Sequence, residues 1–313
     1  MPRLGQTIAN TVASLASADR RIWVIDGDLG DSYGVDRLAT GSVSDRFIQA
    51  GIAEQTMVAV AGGLAACGLR PWVFSFAAFL CCRAYDQIRV CISQTELPVI
   101  LVGSHAGGCN GVNGKTHSIL NDLAIMSTLP NIDVWAPADD LDAMYAAERA
   151  LQSHTATYIR LPRDPQPQLP GEAGPFRLFG TPGSVVLVST GLGTQWALEV
   201  RTHLAGRGQQ VAVLHLAQYA CVSDLRVREA LCLAERLIVI EDHYQHGGLA
   251  DAMRRQFPKQ SVMSVGWPRG WAGASGETDV LRTACGVDTN SIVEVVSKEL
   301  ARERGSRQLS LRC

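Results

Sequence analysis

Short runs of β-branched and aromatic residues alternate with longer helical stretches along almost the whole chain of 313 residues. This alternation predicts strands at 22–25, 72–76, 99–102, 132–135, 158–161, 185–189, 211–214, 237–241 and 261–265. Helices are predicted between them, near 4–18, 53–67, 79–93, 119–128, 139–153, 191–206, 224–235, 247–256 and 290–302. Strand–helix alternation favours parallel sheets that helices cover on both faces. We predict the α/β class, with two doubly wound, mostly parallel sheet domains.

One segment, residues 161–183, is rich in proline and glycine and interrupts the alternation. We interpret it as a linker on the surface. The predicted organisation is a first domain over 1–162, a linker over 163–183 and a second domain over 184–303. A disordered tail is predicted over 304–313, where basic residues accumulate.

The composition argues against several classes of protein. A net charge of −2 gives no electrostatic reason to expect nucleic acid or a membrane surface as a partner. Nine cysteines without a C-x-x-C pair argue against a disulfide framework or a metal site and favour the reducing cytoplasm. We recognise neither a signal peptide nor an apolar run of membrane-spanning length.

An acidic residue, Glu54, stands at the predicted start of a helix that is rich in glycine and alanine. It is either an ordinary acid in the first turn of a helix or the polar part of a ligand site. The small residues around it leave room for a flat ligand. Phe76 and Phe79 follow the next strand, where they form either part of the core or a stacking surface for that ligand.

A long polar loop follows the strand predicted at 99–102. It contains His105, Asn113 and His117 among several glycines, a composition that core packing does not require. Polar loops at the carboxyl ends of parallel strands commonly carry sites. The turn after the first strand, with Asp28 and Ser32, occupies an equivalent place.

A long stretch around Glu54 resembles the pyrimidine-binding domain of the transketolase family: FIQAGIAEQTMVAVAGGLAACGLRPWVFSFAAFLCCRAYDQIR. The second predicted domain resembles the C-terminal domain of the same family. The resemblance implies that Glu54 hydrogen-bonds N1′ of the aminopyrimidine of thiamine diphosphate, which helps to make the cofactor a nucleophile. It also implies that Phe76 and Phe79 wall the aminopyrimidine and that Asp28 approaches the thiazolium end.

The same resemblance implies roles in substrate binding. His105 and His117 would contact the oxygens of a ketose or the forming alkoxide. Asn113 stands where the family usually has an aspartate that reads hydroxyl stereochemistry. Its amide can donate and accept hydrogen bonds but carries no charge, so we expect a relaxed or redirected sugar selectivity. Ser32 and Arg160 match contacts to a substrate phosphate, but a further phosphate-binding arginine expected early in the first helix is missing.

Thiamine enzymes bind the diphosphate and Mg²⁺ through a Gly-Asp-Gly turn and a later asparagine, because oxygen ligands suit this hard cation. The sequence has no such arrangement. We therefore expect a separate diphosphate-binding A subunit that holds Mg²⁺, in an α2β2 assembly. The chain is interpreted as the B subunit of a split transketolase, a transferase that moves a two-carbon ketol unit from a ketose or ketose phosphate to an acceptor.

Three further possibilities remain open. A specialised pathway, with a carrier-bound acceptor, is compatible with the departures from the family pattern. A β subunit of a 2-oxo acid dehydrogenase would share the fold and the glutamate, but the loop with His105 and His117 suits polyhydroxy substrates better. A non-catalytic partner would retain the fold for assembly alone.

Overall fold

The computed structural model describes residues 3–41, 43–108, 110–271 and 273–310. The first part consists, in chain order, of α1 (Leu4–Ala18), β1 (Ile22–Asp26), α2 (Gly30–Tyr33), β2 (Phe47–Gln49), α3 (Glu54–Ala66), β3 (Arg70–Phe76), α4 (Ala77–Arg83), α5 (Tyr85–Gln87), β4 (Ile100–Ser104), α6 (Asp122–Ser127), β5 (Ile132–Trp135), α7 (Asp140–Gln152) and β6 (Ala156–Arg160). A π-helical segment (Ile88–Ser93) follows α5, and a 3₁₀ segment (Gly111–Thr116) lies between β4 and α6.

The six strands of this part form one parallel sheet in the order β2-β1-β3-β4-β6-β5. Alternation along β3 sends Trp72 and Phe74 into the core on one face and Val73 into the core on the other. The chain passes from β1 to β2 on one side and then to β3 on the other side of β1. Ligands of such sheets bind at the carboxyl ends of the strands where the order switches, here between β1 and β3.

The second part contains β7 (Phe176–Phe179), β8 (Val185–Thr190), α8 (Leu192–Gly206), β9 (Ala212–Leu216), α9 (Leu225–Ala230), β10 (Arg236–Tyr244), α10 (Leu249–Gln256), β11 (Ser261–Trp267), α11 (Thr278–Ala284) and α12 (Thr289–Ser310). Its sheet has the order β11-β10-β8-β9-β7, and only the pairing of β7 with β9 is antiparallel. Cores of buried apolar residues lie on both faces. The predicted class, two mostly parallel α/β sheets, is confirmed. None of the described helices is long and apolar enough to cross a membrane.

The structure differs from the predicted elements at several places. The strands β2 and β7 and the helices α2 and α11 were not predicted, because runs of three to seven residues carry too little periodicity to be recognised. Strand β7 lies inside the predicted linker and pairs with the edge of the second sheet. The single helix predicted near 79–93 is divided, since α4 ends at Arg83 and a π-helical segment begins at Ile88.

The last helix is longer than predicted. It continues to Ser310, into the region 304–313 that was predicted to be a disordered tail. The rest of that predicted tail, 311–313, lies outside the described residues. The domain boundaries at 162 and 184 stay predictions.

A buried ionic cluster joins the two parts of the chain. Arg177 of β7 donates to Asp139 at 2.9 Å and to Asp142 at 2.6 Å, both at the start of α7. Nε2 of His215, on β9, lies 2.9 Å from the other oxygen of Asp142. Burial raises the pKa of Asp142, but the hydrogen bond and charge of His215 and the charge of Arg177 outweigh it and leave the pKa below its ordinary value.

We expect Asp142→Asn to lower the free energy of unfolding by about 3–5 kcal/mol at pH 7, since it removes one partner from a buried ionic cluster. Because the folded-state pKa of Asp142 is depressed, its contribution is present above the unfolded pKa of about 3.9 and is lost as the pH falls through the folded value. The difference between variant and wild type should therefore shrink below about pH 4. Denaturant unfolding at a series of pH values measures it.

Asp86→Asn is the matched control, because Asp86 pairs with Arg89 at 2.6 Å on the surface. That exposed pair should contribute less than about 1 kcal/mol. Equal effects of the two substitutions would contradict the role given to the buried cluster.

Candidate active site

Glu54 begins α3 and is completely buried. The hydroxyl of Ser75 donates to Oε1 at 3.3 Å, and Nη1 of Arg83 donates to Oε2 at 2.5 Å. Ser75 comes from β3 and Arg83 is the last residue of α4, so three consecutive elements supply this cluster. A buried carboxylate is costly without such partners, and the ion pair with Arg83 compensates its charge.

An aromatic wall lies next to this carboxylate. Phe76 ends β3 and Phe79 belongs to the first turn of α4, and their rings stack with centroids 5.9 Å apart. The imidazole of His105 stacks on Phe76 at 4.0 Å, and His117 meets the ring of Phe79 edge-on at 5.1 Å. The structure thus brings together both phenylalanines and both histidines that were predicted as site residues.

The guanidinium of Arg83 connects the carboxylate to the aromatic wall. Its central carbon lies 4.7 Å from the centroid of the Phe79 ring while Nη1 hydrogen-bonds Glu54. One planar group that carries nitrogen donors therefore contacts the carboxylate and lies over the aromatic ring at the same time. These residues consequently fit an aminopyrimidine, which is also planar and offers ring nitrogens to an acid.

The backbone of His105 adopts the left-handed conformation, with φ of 54°. Non-glycine residues rarely do so, and such strain is concentrated at functional sites. The hydroxyl of Ser104 lies 2.7 Å from Nδ1, and the edge of Tyr33 packs against the ring. Burial, together with the charges of Arg163 and Arg3, lowers the pKa of His105 to about 4, so the imidazole is neutral at pH 7.

The second sheet anchors the loop that carries His105 and His117, called the histidine loop below (residues 105–108 and 110–117 of the described structure). The amide of Gly108 donates to Oδ1 of Asp242 at 3.0 Å, and the indole of Trp267 donates to the same oxygen at 2.6 Å. Gly107 has φ of 92°, and a Cβ at this position would lie 1.6 Å from Oδ2 of Asp242. Only glycine allows the loop to approach this carboxylate so closely.

Arg160 does not face the site. It is 2% exposed, and its guanidinium donates to the carboxylate of Asp122 at 2.8 Å and to the backbone carbonyl of Asp242 at 2.7 Å. A substrate phosphate would have to displace these buried partners, at a high desolvation cost. We therefore remove Arg160 from the proposed set of substrate contacts.

Arg163, three residues further on, is better placed to meet an anion. Its guanidinium lies against Gly111 of the histidine loop, and 28% of its side chain is exposed. It is also among the cations whose charge lowers the pKa of His105. No role was predicted for Arg163, because two arginines so close together cannot be distinguished without knowledge of their partners.

The remaining predicted residues lie at or near the same edge of the sheet. Asp28 is exposed, has φ of 64° and donates its backbone amide to the side chain of Gln49. Ser32 is half-buried in α2 after the same strand, and Asn113 is half-buried in the 3₁₀ segment of the histidine loop. Their roles stay predictions.

Besides Arg163, two further residues of the site were not predicted, Tyr33 and Arg83. Tyr33 is fully buried and packs edge-on against both Phe76 and His105, but the short helix that carries it has no recognisable pattern. Arg83 follows Phe79 by four residues on α4, and this spacing places both side chains on one face of a helix. That spacing was the available signal for Arg83.

The protein-family model for the pyrimidine-binding domain of transketolase matches residues 2–167. The chain is 29% identical over 308 residues to the 6-deoxy-6-sulfo-D-fructose transketolase subunit SqwH of Clostridium sp. strain MSTE9, a match that covers 96% of this chain and 95% of the relative. It is 26% identical over 304 residues to a putative transketolase C-terminal section of Methanocaldococcus jannaschii, with 94% and 95% covered. A solved split-gene transketolase, described as an inactive β4 tetramer, superimposes with a TM-score of 0.84 at 28% identity, with 96% and 98% covered.

We expect His105 to take up its proton at about pH 4, because burial and neighbouring cations oppose the charged imidazolium. NMR titration of the ¹⁵N-histidine-labelled protein measures the midpoint, and the His105→Gln spectrum assigns the signal. Arg163→Leu should raise this midpoint, since it removes one of the cations. A midpoint near the ordinary value of 6.5 would contradict the enclosed position of the ring.

Proposed function

The chain belongs to the transketolase family, and we propose that it is the B subunit of a split, thiamine diphosphate-dependent transketolase. With a separate diphosphate-binding subunit it would transfer a two-carbon ketol unit from a ketose to an acceptor. The observation that carries the proposal is the junction of the buried carboxylate of Glu54 with the ring of Phe79, where a single planar group contacts both.

Thiamine diphosphate, when bound, supplies the nucleophilic carbon that accepts and releases the ketol unit. Glu54 is proposed to share a proton with N1′ of the aminopyrimidine, while Ser75 keeps the carboxylate oriented. Phe79 would hold the ring by its face, a contact that contributes about 0.5–1.5 kcal/mol beyond burial. Phe76 supports this arrangement, since it stacks on Phe79 and on His105.

His105 and His117 are proposed to contact the substrate oxygens. The low pKa of His105 keeps its ring neutral at pH 7, so that it can exchange hydrogen bonds with a hydroxyl or carbonyl group without a buried charge. Ser104 engages Nδ1, which leaves Nε2 for the substrate. The edge of His117 lies against Phe79, next to the proposed position of the cofactor ring.

A cluster of cations supports a substrate with an anionic end. Arg163 and Arg3 both act electrostatically on His105, and the exposed Lys115 belongs to the same loop. A phosphate or a sulfonate would pair with these charges, in competition with Asp164, which lies 3.8 Å from Arg163. The Clostridium relative is named after 6-deoxy-6-sulfo-D-fructose, a sulfonated sugar. Ser32 and Asn113 remain proposed contacts to the substrate.

The proposed partner is a diphosphate-binding subunit that holds Mg²⁺, in an α2β2 assembly, with Asp28 directed towards the thiazolium end of the cofactor. Two relatives that match almost this whole chain are described as a transketolase subunit and a transketolase C-terminal section. The similar split-gene protein composed only of β chains is described as inactive. These descriptions support a chain that needs a second polypeptide.

The test is reconstitution of the chain with a diphosphate-binding subunit, thiamine diphosphate and Mg²⁺. Ketol transfer from ketose phosphates and sulfonated ketoses would be followed by chromatography of donor and product. We expect Glu54→Gln to reduce turnover by about 100- to 10,000-fold, the range for loss of an acid–base group. Aldose and carrier-bound acceptors would be compared in the same assay.

Glu148→Gln is the control, because Glu148 is an exposed acid on α7 and the substitution is chemically identical. It should retain wild-type turnover. Full activity of Glu54→Gln would instead favour a non-catalytic assembly partner, and turnover only with pyruvate and a lipoyl acceptor would favour a 2-oxo acid dehydrogenase.

A further inference from the structure

Arg83 occupies the position at which the proposed function requires the cofactor ring. Its Nη1 lies 2.5 Å from Oε2 of Glu54, and its guanidinium lies over the ring of Phe79 at 4.7 Å. The plane above Phe79 and Oε2 of Glu54 are the two features that an aminopyrimidine would use. Arg83 and the cofactor ring therefore compete for the same space and the same acceptor.

The free subunit has a physical reason to hold Arg83 there. The carboxylate of Glu54 is 0% exposed, and apart from Arg83 the described structure gives it only the hydroxyl of Ser75, at 3.3 Å. A carboxylate in such a place needs a positive partner or a second strong donor. The guanidinium supplies that charge and also gains a cation–π contact with Phe79.

The guanidinium of Arg83 is also able to move away from Glu54 and Phe79. Its side chain is 44% exposed, and it is the last residue of α4, where the helix ends. A rotation of its long side chain would carry the guanidinium into water without any change in the backbone. Ser75 would stay in place, so that Glu54 remains oriented for a new partner.

We propose that Arg83 is a displaceable placeholder, which fills the aminopyrimidine position of the free subunit and moves out when the cofactor binds. The inference rests on the proposed function, since it identifies the displaced position with that of the aminopyrimidine. When Arg83 leaves, one proton is taken up from solvent and is shared between Glu54 and N1′ of the aminopyrimidine, so that this proton replaces the charge of the guanidinium. The ring takes over the contact on Phe79. While Arg83 is paired with Glu54, the site cannot accept the ring. The apparent affinity for the cofactor is therefore the intrinsic affinity multiplied by the fraction of molecules in which Arg83 has moved out.

Binding of thiamine to the isolated subunit, measured by isothermal titration calorimetry, tests the inference. Thiamine carries the aminopyrimidine but not the diphosphate, so it reports on this half of the site. We expect Arg83→Leu to bind thiamine at least tenfold more tightly than the wild type, equivalent to about 1.4 kcal/mol. Arg83→Lys, which keeps the charge but not the plane, should lie between them.

Arg89→Leu is the matched control. The side chain of Arg89 is exposed to nearly the same extent as that of Arg83, 43% against 44%, and it also forms an ion pair, with Asp86 at 2.6 Å. This variant should bind thiamine as the wild type does. Equal or weaker binding by Arg83→Leu would overturn the inference, because Arg83 would then be a permanent part of the site.

A double-mutant cycle in the absence of thiamine measures the contact directly. Arg83→Leu should lower the melting temperature of the isolated subunit, because it leaves the carboxylate of Glu54 unpaired, and Glu54→Gln should largely restore it. Additive shifts would overturn the inference and leave the proposed function untouched. A coupled pair combined with no thiamine binding by any variant would overturn both, since the site would then not accept an aminopyrimidine.

Discussion

Parallel pairing of three neighbouring strands is the constraint on which the site depends. Because β1, β3 and β4 run side by side in the same direction, the segments that follow them emerge at one edge. The turn with Asp28, the aromatic wall and the histidine loop therefore meet although they are far apart in sequence. Glu54 reaches the same edge from the start of α3, which packs against β3. The order of the strands therefore brings together site residues that come from separate segments of the chain.

Charge burial is the second constraint, and at several carboxylates an arginine compensates it. Three of the enclosed carboxylates have an arginine beside them: Glu54 has Arg83, Asp122 has Arg160, and Asp142 has Arg177. In the latter two pairs the arginine is itself buried, which fixes the contact. Only Arg83 is substantially exposed. We infer from this difference in exposure that the pairs of Arg160 and Arg177 stabilise the fold, whereas Arg83 can leave Glu54 when another partner binds.

Much of the fold could be predicted from the sequence, because long amphipathic helices and β-branched strands carry their own periodicity. The helix over 4–18 and the strand over 132–135 were predicted with the bounds that the structure has. Membership of the transketolase family was likewise evident from the stretch around Glu54, and it is confirmed. Short elements such as β7 were missed, since four residues do not establish a pattern and its pairing with β9 is a long-range contact.

The site was less predictable, because the burial and contacts of a side chain depend on partners that are remote in the sequence. Arg160 was predicted to bind substrate, but its backbone acceptor, Asp242, comes from the second sheet and is 82 residues away. Nothing local distinguishes Arg160 from Arg163, which faces the histidine loop instead. In the same way, the pairing of Arg83 with Glu54 joins the end of one helix to the beginning of another.

The anchor at Asp242 has a consequence for any attempt to recombine this chain with its relatives. The loop that carries His105 is held through the amide of Gly108 by a carboxylate of the other sheet. A chimaera that exchanged the second half alone would inherit whatever side chain its donor carries at that position. Residues 105–108 and Asp242 should therefore come from the same parent. A crossover between them preserves the contact only when both parents have an aspartate at 242 and a glycine at 107.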